Sequence, residues 1–273
     1  MRYIAIGGDK RMQGAVLAAQ REGWEGTWAQ DGHIGDVQPC DLVLLPWPHS
    51  FHEERLVVQP PHKGMEKEQV LSGLPPARLV LHGSGVTAQE LAQATEAFDP
   101  SGDELFLRRN AQLTAEGAIC RAMQRMERAL LGSTCLITGY GRIGQELTSR
   151  LCALGAFVIV CARSEMQMRV AHASGAHPVP LAQIAQAAAA ADLILGTVPA
   201  TVLHVQALEG VRRDTLILEL ASPPYGADME AATRLGLNIS IESGIPGRYA
   251  PLEAGAALFE AAQRYLKRQQ EGV

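Results

Sequence analysis

A chain of 273 residues with 47% hydrophobic and 19% charged residues has apolar material enough for one large core or two domains, and too much for wholesale disorder. Its formal net charge is −5 and its 24 Lys and Arg are scattered, so the composition argues against a nucleic-acid-binding face. The N-terminal MRYIAIGGD turns polar too early for a signal peptide, and no apolar run reaches membrane-spanning length. Cys40, Cys120, Cys135, Cys152 and Cys161 form no C-x-x-C pair and read as reduced, buried thiols of a cytoplasmic protein, without a metal role.

In chain order, RYIAIGG (2–8) predicts a strand ending in a glycine turn. RMQGAVLAAQREG (11–23) predicts a helix with Met12, Val16 and Ala19 on one face, and DLVLLPWP (41–48) a strand stopped by proline. The polar, proline-rich stretch 51–76 fits a solvated loop or a cleft wall equally well. ARLVLHGSG (77–85) repeats the strand-to-glycine pattern, and TAQELAQATEA (87–97) predicts a helix. A long helix is expected over 114–132, capped by Thr114, with Glu116 in its first turn and Ile119, Met123, Met126 and Leu130 on its buried face.

The second half alternates more regularly. Strands are predicted at 134–138, 156–162, 192–199, 215–221 and 237–241, with a short edge at 177–179. Helices are predicted at 142–154, 165–174, 182–190, 201–208 and 228–235. A last helix at 251–268 carries Leu252, Phe259, Ala262 and Leu266 on one side. Strand, glycine turn and helix in succession predict an α/β fold of two Rossmann-like domains whose parallel sheets flank a cleft. The expected division is 1–130 for substrate or partner, 131–250 for NAD(P), and 251–273 as a C-terminal helix packing back on the first domain. That return is an expectation by analogy with two-domain dehydrogenases.

TGYGRIGQEL (138–147) holds the G-x-G-x-x-G spacing between a strand and a helix. Gly139 serves the tight turn, Gly141 lets the backbone approach a pyrophosphate, and Gly144 lets helix and strand pack closely. The turn residues Gly139, Tyr140, Gly141, Arg142, Ile143 and Gly144 are therefore expected at the cofactor, with the pyrophosphate over the helix N-terminus. Ile143, Leu147, Leu151 and Leu154 are expected to face the sheet. The bland alternative is a glycine turn in an ordinary α/β domain.

Cofactor choice is read after the next strand. Ala162, Arg163 and Ser164 stand there, with no carboxylate before Glu165, which suits the 2′-phosphate of NADP better than the ribose hydroxyls of NAD. Otherwise Arg163 is a surface residue and Ser164 caps the helix that follows. Thr197, Val198 and Pro199, and Ala221 and Ser222, end later strands and are expected at the nicotinamide end.

Glu219 interrupts the apolar strand LILELA, so it must be hydrogen-bonded or face the cleft; it organises loops or transfers a proton. His82, just before Gly83-Ser84-Gly85, is the second candidate for proton transfer or substrate contact. Gly7-Gly8-Asp9-Lys10-Arg11 lacks a third glycine and reads as a small anion site or as a plain turn with solvated basic side chains. Arg11, Arg109 and Arg248 are the cations to test as carboxylate clamps, with Asn110 and Thr114 beside Arg109. His49 and His52 have the spacing of a metal pair but no third ligand, and an ordinary loop role is expected.

IAIGGDKR (4–11), NAQLTAEGAI (110–119), GYGRIGQ (139–145), GAFVIVCARS (155–164), LILELASPPYGAD (216–228) and GIPGRYAPLEAG (244–255) together resemble one family, the A subunits of dipicolinate synthase. The resemblance spans essentially the whole chain. It implies a nicotinamide-dependent oxidation of 4-hydroxy-tetrahydrodipicolinate, or its dehydrated form, on a branch from lysine biosynthesis. It also implies a partner, a flavoprotein-like B subunit, and the mother-cell cytoplasm of a sporulating bacterium for location. The family's catalytic residues do not carry over, and it commonly has Asp where Glu219 stands.

Two other readings stay open. One is another NADP-dependent dehydrogenase of a small acid or imine. A 2-hydroxyacid enzyme needs a late catalytic histidine, yet only His204 follows residue 177. A shikimate-type site needs a lysine–aspartate pair, yet Lys10, Lys63 and Lys67 lack that context. The other is a nucleotide-binding scaffold or regulatory subunit. The helix faces at 114–131 and 251–268 could pack within the chain or build a homo-oligomer.

Overall fold

In the computed structural model, which describes residues 1–35, 38–91 and 94–271, short apolar runs form two all-parallel sheets. The chain divides into one unit of Met1–Asn110 with Pro246–Val273 and another of Ala111–Ile245. In the first unit, β1 (Arg2–Ile6) leads to α1 (Lys10–Arg21), then β2 (Glu25–Ala29) and β3 (Cys40–Leu44). A two-stranded hairpin, β4 (Phe51–His52) with β5 (Arg55–Leu56), and α2 (Lys67–Ser72) fill the stretch to β6 (Ala77–Leu81) and β7 (Ala94–Phe98). The sheet order β2-β1-β3-β6-β7 places the reversal of strand order between β1 and β3. α3 (Glu104–Arg125) runs through the division between the units.

In the second unit come β8 (Thr134–Thr138), α4 (Arg142–Ala153), β9 (Phe157–Ala162), α5 (Glu165–Ala173) and β10 (His177–Pro180). They are followed by α6 (Ile184–Ala190), β11 (Leu193–Gly196), α7 (Val205–Leu208), β12 (Leu216–Glu219), α8 (Met229–Arg234) and β13 (Asn238–Ile241), after which α9 (Ile245–Tyr249) returns the chain to the first unit. The order β10-β9-β8-β11-β12-β13 is the 3-2-1-4-5-6 arrangement of a doubly wound dinucleotide fold. β8, β11 and β12 are almost wholly buried, because helices cover both faces. Burial pushes the thiols of Cys135 and Cys161 up to about 11, so both are inert core residues.

The last helix, α10 (Pro251–Glu271), packs on α1 within the first unit. Small residues permit it: a β-carbon at Gly255 would lie 1.7 Å from the Arg11 carbonyl oxygen, and one at Gly14 would lie 2.2 Å from that of Leu252. Phe259 is fully buried and meets Trp24 edge-to-face, with ring centroids 5.3 Å apart. Arg264 clasps the buried Asp103 at 2.9 Å. Burial works against Asp103 ionising, but the Arg264 guanidinium and the Phe106 N–H together outweigh it and hold the carboxyl below its usual range. Phe259→Ala is expected to cost about 3–5 kcal/mol by leaving a cavity, read as a lower urea midpoint with an unchanged slope.

The structure departs from the expected elements at several places. Residues expected as a helix over 87–97 form a 3₁₀ turn, Ala88–Leu91, and then β7, which pairs in parallel with β6 (Leu81 opposite Phe98); Ala92 and Gln93 lie outside the described residues. α3 starts at Glu104 and ends at Arg125, so Thr114 is a buried mid-helix residue and no cap, and Glu116 is not in the first turn. The buried side of α3 is Ala111, Ala115, Ala118, Ile119 and Ala122, while Met123 is 61% exposed; small residues there allow close approach. Leu252 and Leu154 are both largely exposed, because the first stands at the start of α10 and the second is the C-cap of α4. Only Val205–Leu208 of the helix expected at 201–208 forms, and β2 occupies residues given no element. Among the described residues no helix is long and apolar enough to cross a membrane.

Candidate dinucleotide site

The glycine turn after β8 has the geometry its spacing predicts. Gly139 has φ +94°, a region closed to most side chains, and a β-carbon there would lie 2.4 Å from Val198 Cγ2. Its N–H donates to the Cys161 carbonyl at 2.8 Å, tying the turn to β9. At Gly144 a β-carbon would meet the Gly139 carbonyl oxygen at 2.5 Å, so only glycine lets α4 start so close to the strand. Gly141 is the N-cap of α4 and its side faces open space, with no atom within 4 Å. The first turn of a helix leaves backbone N–H groups outside the helix's own ladder, and the positive end of α4 lies beside that space. An anion fits there.

Tyr140, expected among the cofactor contacts, has a buried side chain whose hydroxyl meets Ser174 Oγ at 3.0 Å. Only its backbone belongs to the turn. Leu147 and Leu151 are fully buried under α4, as expected.

At the end of β9, Ala162 is buried, Arg163 is exposed, and Ser164 caps α5 by accepting from the Gln167 N–H at 3.2 Å. Glu165 is also exposed and pairs with Arg169 one turn on. On the other side of the turn, Thr197 Oγ1 donates to the Thr138 carbonyl at 2.6 Å, which fixes the exit of β11 against β8. Val198 then lies over Gly139, with Pro199 exposed beyond it. Ala221 is half-buried and Ser222 exposed after β12.

Glu219 ends β12 with 0% exposure. Two residues that sequence reading does not single out make its room: a β-carbon at Gly196 would lie 2.4 Å from both carboxyl oxygens, and one at Gly226 would lie 3.3 Å from Oε2. Gly196 also pairs across the sheet with Glu219 itself. A glycine closing one strand beside a glutamate closing the next is the signal that could have found this contact.

In the first unit, the Arg11 guanidinium forms a two-point pair with Asp9, the closest contact 2.8 Å. Burial opposes ionisation of Asp9, but Arg11 outweighs it and lowers its pKa. Asp9 also accepts from the Arg11 backbone N–H as N-cap of α1, so the anion seat expected in Gly7-Gly8-Asp9-Lys10-Arg11 is filled by the chain's own carboxylate. His82 is half-buried after β6 with Nδ1 3.0 Å from the Gly83 carbonyl oxygen. His49 does not pair with His52: its Nδ1 lies 2.6 Å from Ser84 Oγ, and the buried Ser50 stitches the same loops by accepting from the Gly83 N–H. Arg248 lies over the Tyr249 ring at 5.7 Å. Arg109 and Asn110 stand in the first turns of α3 and not ahead of it.

A glycine turn with these contacts, on the central strand of a 3-2-1-4-5-6 sheet, makes the second unit an NAD(P)-binding domain of the oxidoreductase type. The sequence model of the D-isomer specific 2-hydroxyacid dehydrogenase NAD-binding domain matches residues 106–209. The chain is similar to the A subunit of dipicolinate synthase from Bacillus subtilis, 28% identical over 240 residues that cover 84% of this chain and 78% of that one. Its fold matches the crystal structures of the dipicolinate synthase A subunits from Bacillus halodurans (TM-score 0.82, 23% identity, 97% of each chain) and from Bacillus subtilis (TM-score 0.83, 23% identity, 100% and 98%). The resemblance carried by the six sequence segments is borne out.

Proposed function

We propose that this chain is the A subunit of a dipicolinate synthase, which works together with a B subunit to oxidise 4-hydroxy-tetrahydrodipicolinate or its dehydrated form to pyridine-2,6-dicarboxylate. The observation that carries the reading is the glycine turn on β8 in a chain whose similarity to the dipicolinate synthase A subunits extends over both units. Loss of water at C4 gives the dihydro ring, and loss of one hydride and one proton then gives the aromatic diacid. Nicotinamide, when bound, supplies the hydride acceptor. The chain's own groups do the rest: they seat the cofactor, align the ring, hold two carboxylates and take a proton.

The α4 N-terminus, from Gly141 to Gly144, receives the pyrophosphate. Arg163, exposed after β9, receives the 2′-phosphate, so NADP is the preferred cofactor. Thr197, Val198, Pro199, Ala221 and Ser222 border the nicotinamide half, which the second set of strands serves in this fold. Arg11, Arg109 and Arg248 are assigned to the substrate carboxylates, with Asn110 and Thr114 supporting Arg109, and His82 to the proton. Arg11 is paired with Asp9, and Arg248, in the glycine- and proline-rich segment before α10, is the first to test.

Product binding tests the substrate class. Titrating pyridine-2,6-dicarboxylate into protein holding oxidised NADP is expected to show one saturable site per chain. Arg248→Ala should weaken it at least about tenfold, the effect of losing one charge-assisted hydrogen bond. Pyridine-2-carboxylate, with one carboxylate, should bind more weakly than the diacid. Equal affinity for the two acids would contradict a two-carboxylate clamp.

A further inference from the structure

Glu219 has a feature that cofactor seating alone does not explain. Its carboxyl is sealed from solvent, yet among the described residues Oε2 has a single hydrogen-bond partner, the Gly226 N–H at 3.0 Å, and Oε1 has none. Among those residues, the elements packed around it supply no cation. β11 offers Gly196, and β13 leads to Glu242, whose backbone N–H donates to the Glu219 carbonyl and whose carboxylate is turned to Arg121 at 2.9 Å. The following segment offers Gly226 and Ala227, and Asp228 beyond them is spent capping α8.

The Gly226 peptide is gripped from both ends. While its N–H donates to Glu219, its carbonyl accepts from the N–H groups of Val202 at 2.8 Å and Leu203 at 2.9 Å. Thr201 Oγ1 donates to the Tyr225 carbonyl at 3.2 Å, and the Asp228 N–H donates to the Leu203 carbonyl at 3.0 Å. The Val198 carbonyl oxygen lies 3.4 Å from where a Gly226 β-carbon would stand, and the Val198 side chain covers Gly139. One connected path therefore runs from the Glu219 carboxyl, through two segments of chain, to the glycine turn.

We propose that Glu219 is a positioning residue of the cofactor site: through the Gly226 peptide its carboxyl clamps segment 220–228 to segment 197–203 and so sets Val198 against the glycine turn. The inference rests on the reading of those segments as the nicotinamide end. The clamp works in the uncharged acid form. Burial raises the carboxyl's pKa above its ordinary value, the hydrogen bond from Gly226 and the nearby Ala227 backbone N–H offset this only in part, and no neighbouring cation among the described residues favours the anion. The sign of the pH effect follows. An unfolded glutamate ionises near 4.5, whereas the folded one holds its proton to higher pH, so the native state loses stability as pH rises from there through the folded pKa.

The test compares Glu219→Gln, Glu219→Asp and Glu219→Ala with the unaltered chain. Glutamine keeps the size, the acceptor oxygen and the neutrality, so Glu219→Gln is expected to bind NADPH within about threefold of the unaltered chain and to melt higher at neutral pH, without the decline as pH rises. In the room this chain builds around a glutamate, aspartate sets its carboxyl back by one methylene from the 3.0 Å contact with Gly226, and alanine leaves that N–H unpaired, so both are expected to weaken NADPH at least about tenfold. Hydrogen exchange reads the clamp without cofactor: segments 197–203 and 220–228 should exchange faster in the Asp and Ala variants and unchanged in the Gln variant. Loss of NADPH binding in Glu219→Gln with normal exchange would overturn the proposal, because the carboxyl would then serve the cofactor by something other than the clamp. Equal exchange in all variants would overturn it as well. If the unaltered chain shows the exchange pattern but binds no nucleotide, the cofactor reading itself fails and the positioning role falls with it.

Discussion

Gly141→Asp is expected to abolish nucleotide binding, by at least about a hundredfold, while leaving the fold intact. The two effects separate because of what surrounds Gly141. Its backbone, at φ −80° and ψ −167°, suits any residue, and its side faces open space. Aspartate is moreover a good N-cap, so α4 should be as stable or slightly more so. Yet the new carboxylate would occupy the positive helix end where a pyrophosphate must sit, adding a like charge to its bulk. Fluorescence titration with NADPH, beside a melting curve, checks both halves. Gly144→Val, by contrast, should damage fold and binding together, since its β-carbon would meet the Gly139 carbonyl oxygen at 2.5 Å. A Gly141→Asp variant that still binds NADPH would remove the pyrophosphate from α4.

Arg163→Asp is expected to reverse cofactor preference. Arg163 is exposed at the end of β9, and the nearest carboxylate in the sequence, Glu165, pairs with Arg169. A guanidinium facing a 2′-phosphate is worth about 1.5–3 kcal/mol, so the variant should lose about ten- to a hundredfold in NADP affinity. The introduced carboxylate can accept from ribose hydroxyls, so NAD binding should hold or improve. Raised salt should weaken NADP in the unaltered chain and make little difference in the variant, because the exposed ion pair is screened. Equal loss for both cofactors would show that Arg163 supports the segment and does not read the phosphate. Ser164 accepts from the Gln167 N–H as the cap of α5, and a hydroxyl that accepts there keeps its own O–H as the extra donor beside Arg163.

The middle of the second sheet is legible in the sequence because β8, β9 and β11 are mostly apolar runs, as buried parallel strands must be, while the edge strands β10 and β13 mix polar residues in. The glycine spacing predicts three separate backbone roles; Gly139 and Gly144 fill the turn and packing roles, and Gly141 faces open space. The first unit is less legible. TAQELAQATEA is rich in helix formers, and pairing with β6 overrides that preference from Ala94 onward. β2 is an edge strand with mostly exposed residues and so carries no apolar signal. Thr114 followed by a glutamate imitates a helix start, while the true first turns of α3 begin at Glu104. Around the site, the hidden features are those made by residues far apart in the chain or by a side chain turning back. Tyr140 turns inward to Ser174, Asp9 turns to Arg11, and Glu219 fits only because Gly196 and Gly226 both lack side chains.

Hydride transfer by this chain is tested most directly by supplying 4-hydroxy-tetrahydrodipicolinate, made in place by its upstream synthase. Reduced nicotinamide and dipicolinate are followed together, with NADP and NAD, and with and without the B subunit. Both products are expected to form one for one, faster with NADP, and Gly141→Asp should stop them together. Dipicolinate forming with the partner while no nicotinamide is reduced would contradict hydride transfer here, and would leave the glycine turn a binding or regulatory site.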